Sequence, residues 1–526
     1  MIADLAKRDP GPRGWRLGIV VAIVAVVAAY FPSLSGGWLW CDDYTVAENS
    51  ALRSPDALAR IATPGEFEQF YPVTHFVYWS GLRLFGASPL FFRVLSLALH
   101  ASAAALLGAL AGRLRLPGGA VASALFGLHP LGVESAAWVY ELKTPLSLAL
   151  SLASFHAWVA FEEGGRRKGA ALAASLVLFA LALLAKSSAV VLPAFLVLAR
   201  AIPGRSVSTE SRRALVPFAI LALAMAAVTL ASEPILEAGA APAGFRERCA
   251  VAGHALSFYA GKLLLPLGLS FAYPRLDPRT ASLLPAAIAA AAIGAALAAA
   301  MLASGRLRAT GLAALGFAAA LGPVLGFFDI YMMRYAFVAD HLAYPAVAAA
   351  AVAGGAALAR PPARPAALAI LLLFGAVTFA RAATFSSNEA LWREAARREP
   401  RAWLAQLELG LVERSLGNTE AAIERFRLAL AERESVDALV NLGNALVAGG
   451  RAAEALPPLS RAIEIAPEDG LNHANLAAAL IALGRIDEAL AAYRLARHLA
   501  PDDPIVRRNL EALESAKRSL EPGAPR

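Results

Sequence analysis

From Trp15 to about Thr384 the chain consists of long apolar stretches separated by short basic or acid-bearing turns, and no other feature constrains its fold so strongly. Inside a bilayer every backbone N–H and C=O must find its partner within the protein, so a run of about 20 apolar residues reads as a spanning helix. Composition agrees. The 526 residues are 58% hydrophobic and only 17% charged, with a mean hydropathy of +0.56, far too apolar for ordinary soluble domains. The expected fold class is all-α: a polytopic transmembrane bundle over 1–385, with a first external loop at 32–87, followed by a helical solenoid over 386–526.

The basic residues orient the bundle, because cytoplasmic turns are enriched in Lys and Arg. Lys7, Arg8, Arg13 and Arg16 precede the first apolar run, which leads into an acidic loop without a convincing cleavage site. Further clusters fall at Arg113 and Arg115, Arg166 to Lys168, Arg200 to Arg213, Arg306 and Arg308, and Arg360 and Arg364. Between these anchors, eleven spans are expected, near 15–31, 88–111, 118–137, 144–161, 169–185, 188–202, 213–232, 281–303, 309–328, 343–359 and 365–383. The apolar stretch 249–269 carries His254 and Lys262 and is expected to be re-entrant or surface-lying. An odd count puts the N-terminus and the C-terminal region on opposite faces. The expected location is a bacterial inner membrane with the array in the periplasm. The excess of 48 Lys and Arg over 40 Asp and Glu is then a matter of orientation, and no nucleic-acid partner is implied. Cys41 and Cys249, the only cysteines, are too few for a disulfide framework, and one external bridge is the most they can form.

Beyond Asn388 the chain becomes charged and repeats with a period near 34 residues. Leu409-Gly410, Leu442-Gly443 and Leu476-Ala477 align, followed by Gly417, Gly450 and Gly484, then Ala422, Ala455 and Ala489. Phe426, Leu459 and Tyr493 come next, then Ala429, Ala462 and Ala496, with Pro467 and Pro501 closing the last two units. This resembles the tetratricopeptide repeat, in which small residues let two antiparallel helices approach and large ones fill the space between them. About three units and a capping helix from about Pro504 are expected.

The remaining charged and His-bearing motifs fall on the external face. Ionisable groups near membrane depth are expensive and usually functional. Cys41-Asp42-Asp43-Tyr44 follows the first span; Phe70-Tyr71-Pro72-Val73-Thr74 lies in the first loop; His129-Pro130 precedes Glu134, with Glu141-Leu142-Lys143 beyond. Ala185-Lys186 enters a run ending Leu192-Pro193, Arg334 follows the ninth span, and Val338-Ala339-Asp340-His341 precedes Tyr344-Pro345.

In that order these motifs resemble the type C glycosyltransferases, and with the array they are most similar to the transmembrane and tetratricopeptide-repeat O-mannosyltransferases and their bacterial relatives. The resemblance implies transfer of a sugar such as mannose from a polyprenyl-phosphate donor to a protein or glycan hydroxyl on the external face. Asp42 and Asp43 are the candidate catalytic pair, one of them taking the acceptor proton. Lys186, Arg334 and His341 are candidates for the donor phosphate, with His129, Glu134 and Asp340 in support. The motifs name no cofactor with certainty; the paired carboxylates would suit a divalent metal. Ser187 and His341 stand where such relatives usually carry Glu and Arg. The same features fit a second reading, a non-catalytic membrane-anchored scaffold whose array binds partners in envelope assembly.

Overall fold

The structure, a computed structural model, describes residues 14–202, 208–232 and 243–520. Lys7, Arg8, Arg13 and Arg205 of the basic clusters lie outside these residues. The described residues form helices and no strands, in two compact units: Met1–Phe271 with Arg275–Leu391, and Ala272–Pro274 with Trp392–Arg526.

The first unit contains α1 (Gly14–Tyr30), α2 (Pro72–Phe85), α3 (Pro89–Arg113), α4 (Gly119–Leu128), α5 (Lys143–Glu163), α6 (Lys168–Ala185), α7 (Leu192–Arg200), α8 (Thr209–Ser232), α9 (Phe245–Leu264), α10 (Leu284–Leu302), α11 (Gly305–Leu321), α12 (Tyr344–Leu358) and α13 (Arg364–Ala383). Among the described residues nine helices are long and apolar enough to cross a membrane. The expected spans at 118–137 and 188–202 are not among them. After the ten residues of α4, Pro130 starts a 3-10 turn, and a short helix, Val133–Ala137, follows; Ser187–Val191 is likewise a 3-10 turn ahead of the nine-residue α7. Ten residues of α-helix rise only about 15 Å, half a hydrocarbon core.

Two ion pairs show that these broken segments still return the chain across the bundle. Arg113 Nη2 lies 2.6 Å from Glu163 Oε2, so α3 and α5 end at one face, and the segment joining them must reach the other face to begin α5. Lys168 pairs with Glu210 at 3.1 Å, so α6 and α8 start together at one end of the unit, and the chain must return to that end after α6. Among the described residues, nine long apolar helices and two short broken segments therefore each run from one end of the unit to the other. In contrast, α9 lies along one end. Its Arg248 bonds Asp329 at 2.7 Å, Gly253 at its middle abuts the backbone of Pro285 and Ala286 at the start of α10, and its Tyr259 hydroxyl meets Ala339.

Close helix contacts are made where side chains are absent. Gly118 has φ +78°, and a Cβ there would collide with Gly355 O, which seats the start of α4 directly on α12. Cys41 is buried and Cys249 partly so, and both are free thiols.

The second unit is a tetratricopeptide-type helical repeat. Three antiparallel pairs, α14 (Trp403–Ser415) with α15 (Thr419–Glu432), α16 (Val436–Ala448) with α17 (Ala452–Ile465), and α18 (Gly470–Ala482) with α19 (Ile486–Leu499), are closed by α20 (Pro504–Leu520). The register follows from size. A Cβ on Gly410 would come within 2.5 Å of the Phe426 ring, and one on Gly443 within 2.5 Å of Leu459 Cγ. Ala477 packs with Tyr493 at the corresponding place in the third pair.

Candidate functional site

The polar motifs gather at the end of the first unit opposite Arg113 and Glu163. Proline starts helices there, since its missing N–H costs nothing in a first turn. Pro72 starts α2, and the aromatic-proline motif is docked on the Ala-Lys motif: Thr74 Oγ1 donates to Ala185 O at 2.8 Å, and the hydroxyls of Tyr71 and Ser187 lie 3.3 Å apart. The residues that follow α4 form a tight series of turns, Pro130–Gly132, Val133–Ala137 and Val139–Leu142, which carries Glu134 and Glu141 into the interior.

A chain of buried ionisable groups results. Lys186 Nζ lies 2.7 Å from Glu141 Oε2 and 2.5 Å from Thr144 Oγ1, and Lys143 Nζ lies 3.3 Å from Glu141 Oε1. Thr144 also donates to Glu141. His341 Nδ1 lies 2.5 Å from Glu134 Oε1, and its Nε2 is 3.8 Å from Glu141 Oε1. Lys143 further donates to Gln69 Oε1 at 3.0 Å, and its ammonium lies 3.3 Å from the centre of the Tyr140 ring. Burying such charges is tolerable only because each finds a partner of opposite sign or a hydrogen bond. Ser187 stands where the resemblance expects an acid; the carboxylate beside Lys186 is that of Glu141.

These groups line a chamber of about 350 Å³. Gln69, Tyr140, Glu141, Lys143, Lys186 and His341 line its polar side, and Asp329, whose carboxylate pairs with Arg248, lines it as well. Ala222, Leu223, Ala226 and Leu230 of α8, with Val324 and Phe328, form an apolar wall. Leu223 and Leu230 are themselves exposed, so this side of the chamber opens at an apolar part of the unit's surface.

The expected residues are distributed unevenly around the chamber. Lys186 and His341 line it, and Glu134 stands behind His341 with its Oε2 buried and without a hydrogen-bond partner among the described residues. Neither Asp42 nor Asp43 lines it. Asp42 is fully buried, its Oδ2 accepting from Leu39 N at 2.9 Å and its Oδ1 from Tyr140 N at 2.8 Å, so it holds the turn that bears Glu141. Burial raises its carboxyl to about 7, against the opposing pull of the two N–H donors and Arg93. Asp43 is exposed and accepts from Tyr44 N, so the pair does not converge on a shared ion. Asp340 is buried beside Arg381 at 3.3 Å. His129 turns away from the chamber: its Nε2 meets Leu263 O at 3.0 Å, and its Nδ1 accepts from Leu131 N, which is a capping role. Arg334 closes the turn Tyr331–Arg334, and its side chain is outside the described residues.

Glu141, Lys143 and Gln69 are absent from the sequence-derived site, although Glu141-Leu142-Lys143 was visible there as a polar turn. Arg93 is a further surprise. Its guanidinium, buried in α3, donates to the carbonyls of Ser33, Ala137, Phe385 and Gly37, tying the loop before Asp42 to the turn that carries Glu141.

Comparison with known proteins bears on the second unit. The family model described as the bacterial transcriptional activator domain matches residues 379–504. Among solved structures, MamA (41-end) from Desulfovibrio magneticus RS-1 is similar at 22% identity, over 25% of this chain and 74% of that one, with a TM-score of 0.24. YrrB, a TPR protein with an unusual peptide-binding site, matches at 25% identity over 26% and 70% of the two chains, with a TM-score of 0.23. The first TPR domain of human RPAP3 matches at 20% identity over 23% and 95%, with a TM-score of 0.22. No curated protein matches the chain.

Proposed function

We propose that the first unit is a membrane transferase that takes a sugar from a polyprenyl-phosphate carrier at the face opposite Arg113, and that the repeat array receives a protein acceptor. The observation that carries this reading is the make-up of the chamber, a buried cationic wall facing an apolar wall that opens at an apolar part of the unit's surface. Lys143 and Lys186 together balance only one carboxylate, Glu141, so an arriving lipid phosphate would complete the charge pairing. The isoprenoid would lie against Ala222, Leu223, Ala226 and Leu230 of α8. In the reaction the acceptor hydroxyl oxygen bonds to the anomeric carbon, the bond from that carbon to the phosphate oxygen breaks, and the hydroxyl proton passes to a carboxylate. We assign that proton to Asp43, the exposed member of the pair, and assign Asp42 to positioning the 139–142 turn. Mannose is the first sugar to try, on the strength of the motif order. With the N-terminus cytoplasmic, this face and the array are periplasmic in a bacterial inner membrane.

The test is to incubate the purified full chain with polyprenyl-phosphate-linked hexoses and a panel of peptide acceptors. Lys186→Met should weaken donor binding, whereas Asp43→Asn should lower turnover by about two to four orders of magnitude and leave donor binding intact. A second reading, a membrane-anchored scaffold, is favoured by the occupation of both Asp42 oxygens by backbone N–H groups and by the absence of either acid from the chamber wall. No transfer from any lipid-linked hexose by the unmodified chain, together with capture of a periplasmic protein by the array, would decide for it.

A further inference from the structure

A second cavity of about 330 Å³ lies in the same unit, walled by α3, α5, α7, α11 and α12. Its lining runs along α5 from Thr144 to Phe155 and along α11 from Gly316 to Gly305. Each stretch is eleven residue steps, about 16 Å at the α-helical rise. The groove thus runs from Thr144 and Ser188, beside the chamber, to Arg308 and Leu116 at the opposite end of the unit. Ser188 lines both this groove and the cationic chamber, and Thr144 of the groove bonds Lys186 and Glu141 of the chamber.

Apart from a few hydroxyls near Thr144, the walls are apolar until the far end, where Arg308 enters the lining. Arg308 Nε is buried there without a hydrogen-bond partner among the described residues. Nε and Nη2 of Arg200 are likewise buried without a partner among the described residues; Arg200 is not itself in the lining, but it closes α7 between Ala199 and Ile202, which are. Buried guanidinium donors are rarely left unpaired, and their planar fork matches a phosphate. The same end carries Leu114 and Leu116, just past Arg113, and so belongs to the basic face of the bundle.

We propose that this groove holds one acyl chain of an anionic phospholipid whose headgroup phosphate is bound by Arg308 and Arg200. The ligand is a membrane lipid and not a soluble phosphate, because the basic end continues into an apolar slot long enough to take an acyl chain. The phosphate end of this site lies at the face opposite the donor chamber, so the proposal does not rest on the transferase reading.

The experiment reconstitutes the full chain in nanodiscs of phosphatidylcholine with a minor fraction of phosphatidylglycerol, extracts it into mild detergent, and counts retained lipids by native mass spectrometry. The unmodified chain should retain phosphatidylglycerol about tenfold over its share in the bilayer, and the Arg200→Gln, Arg308→Gln double variant should lose that enrichment. Arg360→Gln, at a basic residue of the same face outside the groove, should keep it. If the double variant does not fold, Ala313→Phe fills the groove with both arginines in place and should expel the lipid equally. Retention in proportion to bilayer composition, an unchanged enrichment in the folded double variant or in Ala313→Phe, or displacement of the bound lipid by millimolar inorganic phosphate would each overturn the proposal.

Discussion

Removing the charge of Glu141 should destabilise the first unit more than removing one of its partners, and the difference follows from the geometry. Glu141 faces Lys186 at 2.7 Å, Lys143 at 3.3 Å and His341 at 3.8 Å, all buried. In Glu141→Gln both ammonium groups lose their only carboxylate, and breaking a buried pair from one side costs about 3 to 5 kcal/mol. Lys186→Met leaves Glu141 with Lys143, so its cost should be nearer that of a lost buried hydrogen bond to a charge, about 1.5 to 3 kcal/mol. The double variant removes one of the two orphaned cations and should therefore be more stable than Glu141→Gln alone, with a coupling of about 2 kcal/mol or more. Unfolding of the full chain in mixed micelles, followed by tryptophan fluorescence, measures all three. Additive losses would refute the idea that Glu141 is the shared counter-ion of the network.

Asp42 should give the protein a pH-dependent stability. With its folded carboxyl at about 7 and a reference value of 3.8, the folded chain keeps a proton that the unfolded chain has released between those values, so stability should fall as pH rises through that window. Asp42→Asn should flatten this slope, and parallel melting curves across the window would contradict it. In the array, Gly443→Leu must displace Leu459 and should cost about 1 to 3 kcal/mol, seen as protease sensitivity confined to residues beyond 392; full resistance would count against the register. A reporter active only in the periplasm, fused after Arg526, should be active, and activity of a cytoplasmic reporter there would reverse the orientation.

The repeat register was legible because it depends on size alone: Gly410 against Phe426 and Gly443 against Leu459 are pairs that the 34-residue period aligns. The long spans were legible from length and apolarity. That the expected spans at 118–137 and 188–202 would be short and broken was not, because a window of apolar residues cannot see that Pro130 and the turn at 187–191 interrupt the helix. Lys186 and His341 could be picked out because ionisable groups at span ends stand out. Glu141 could not, since an acid between Tyr140 and Leu142 looks like any interfacial turn until Lys143 and Lys186 arrive from either side. The burial of Asp42 depends on Tyr140 N, 98 residues away, and adjacent acids in a loop give no hint that one faces in and the other out.

If the cationic chamber receives a lipid phosphate with its isoprenoid along α8, site-resolved photocrosslinking will locate that chain. A polyprenyl phosphate bearing a photoreactive group in its first isoprene units should mark Ala222 to Leu230 and Ser187 to Val190, be displaced by unlabelled polyprenyl phosphate, and fade in Lys186→Met. Labelling spread evenly over the lipid-facing helices, or unchanged in Lys186→Met, would contradict the account.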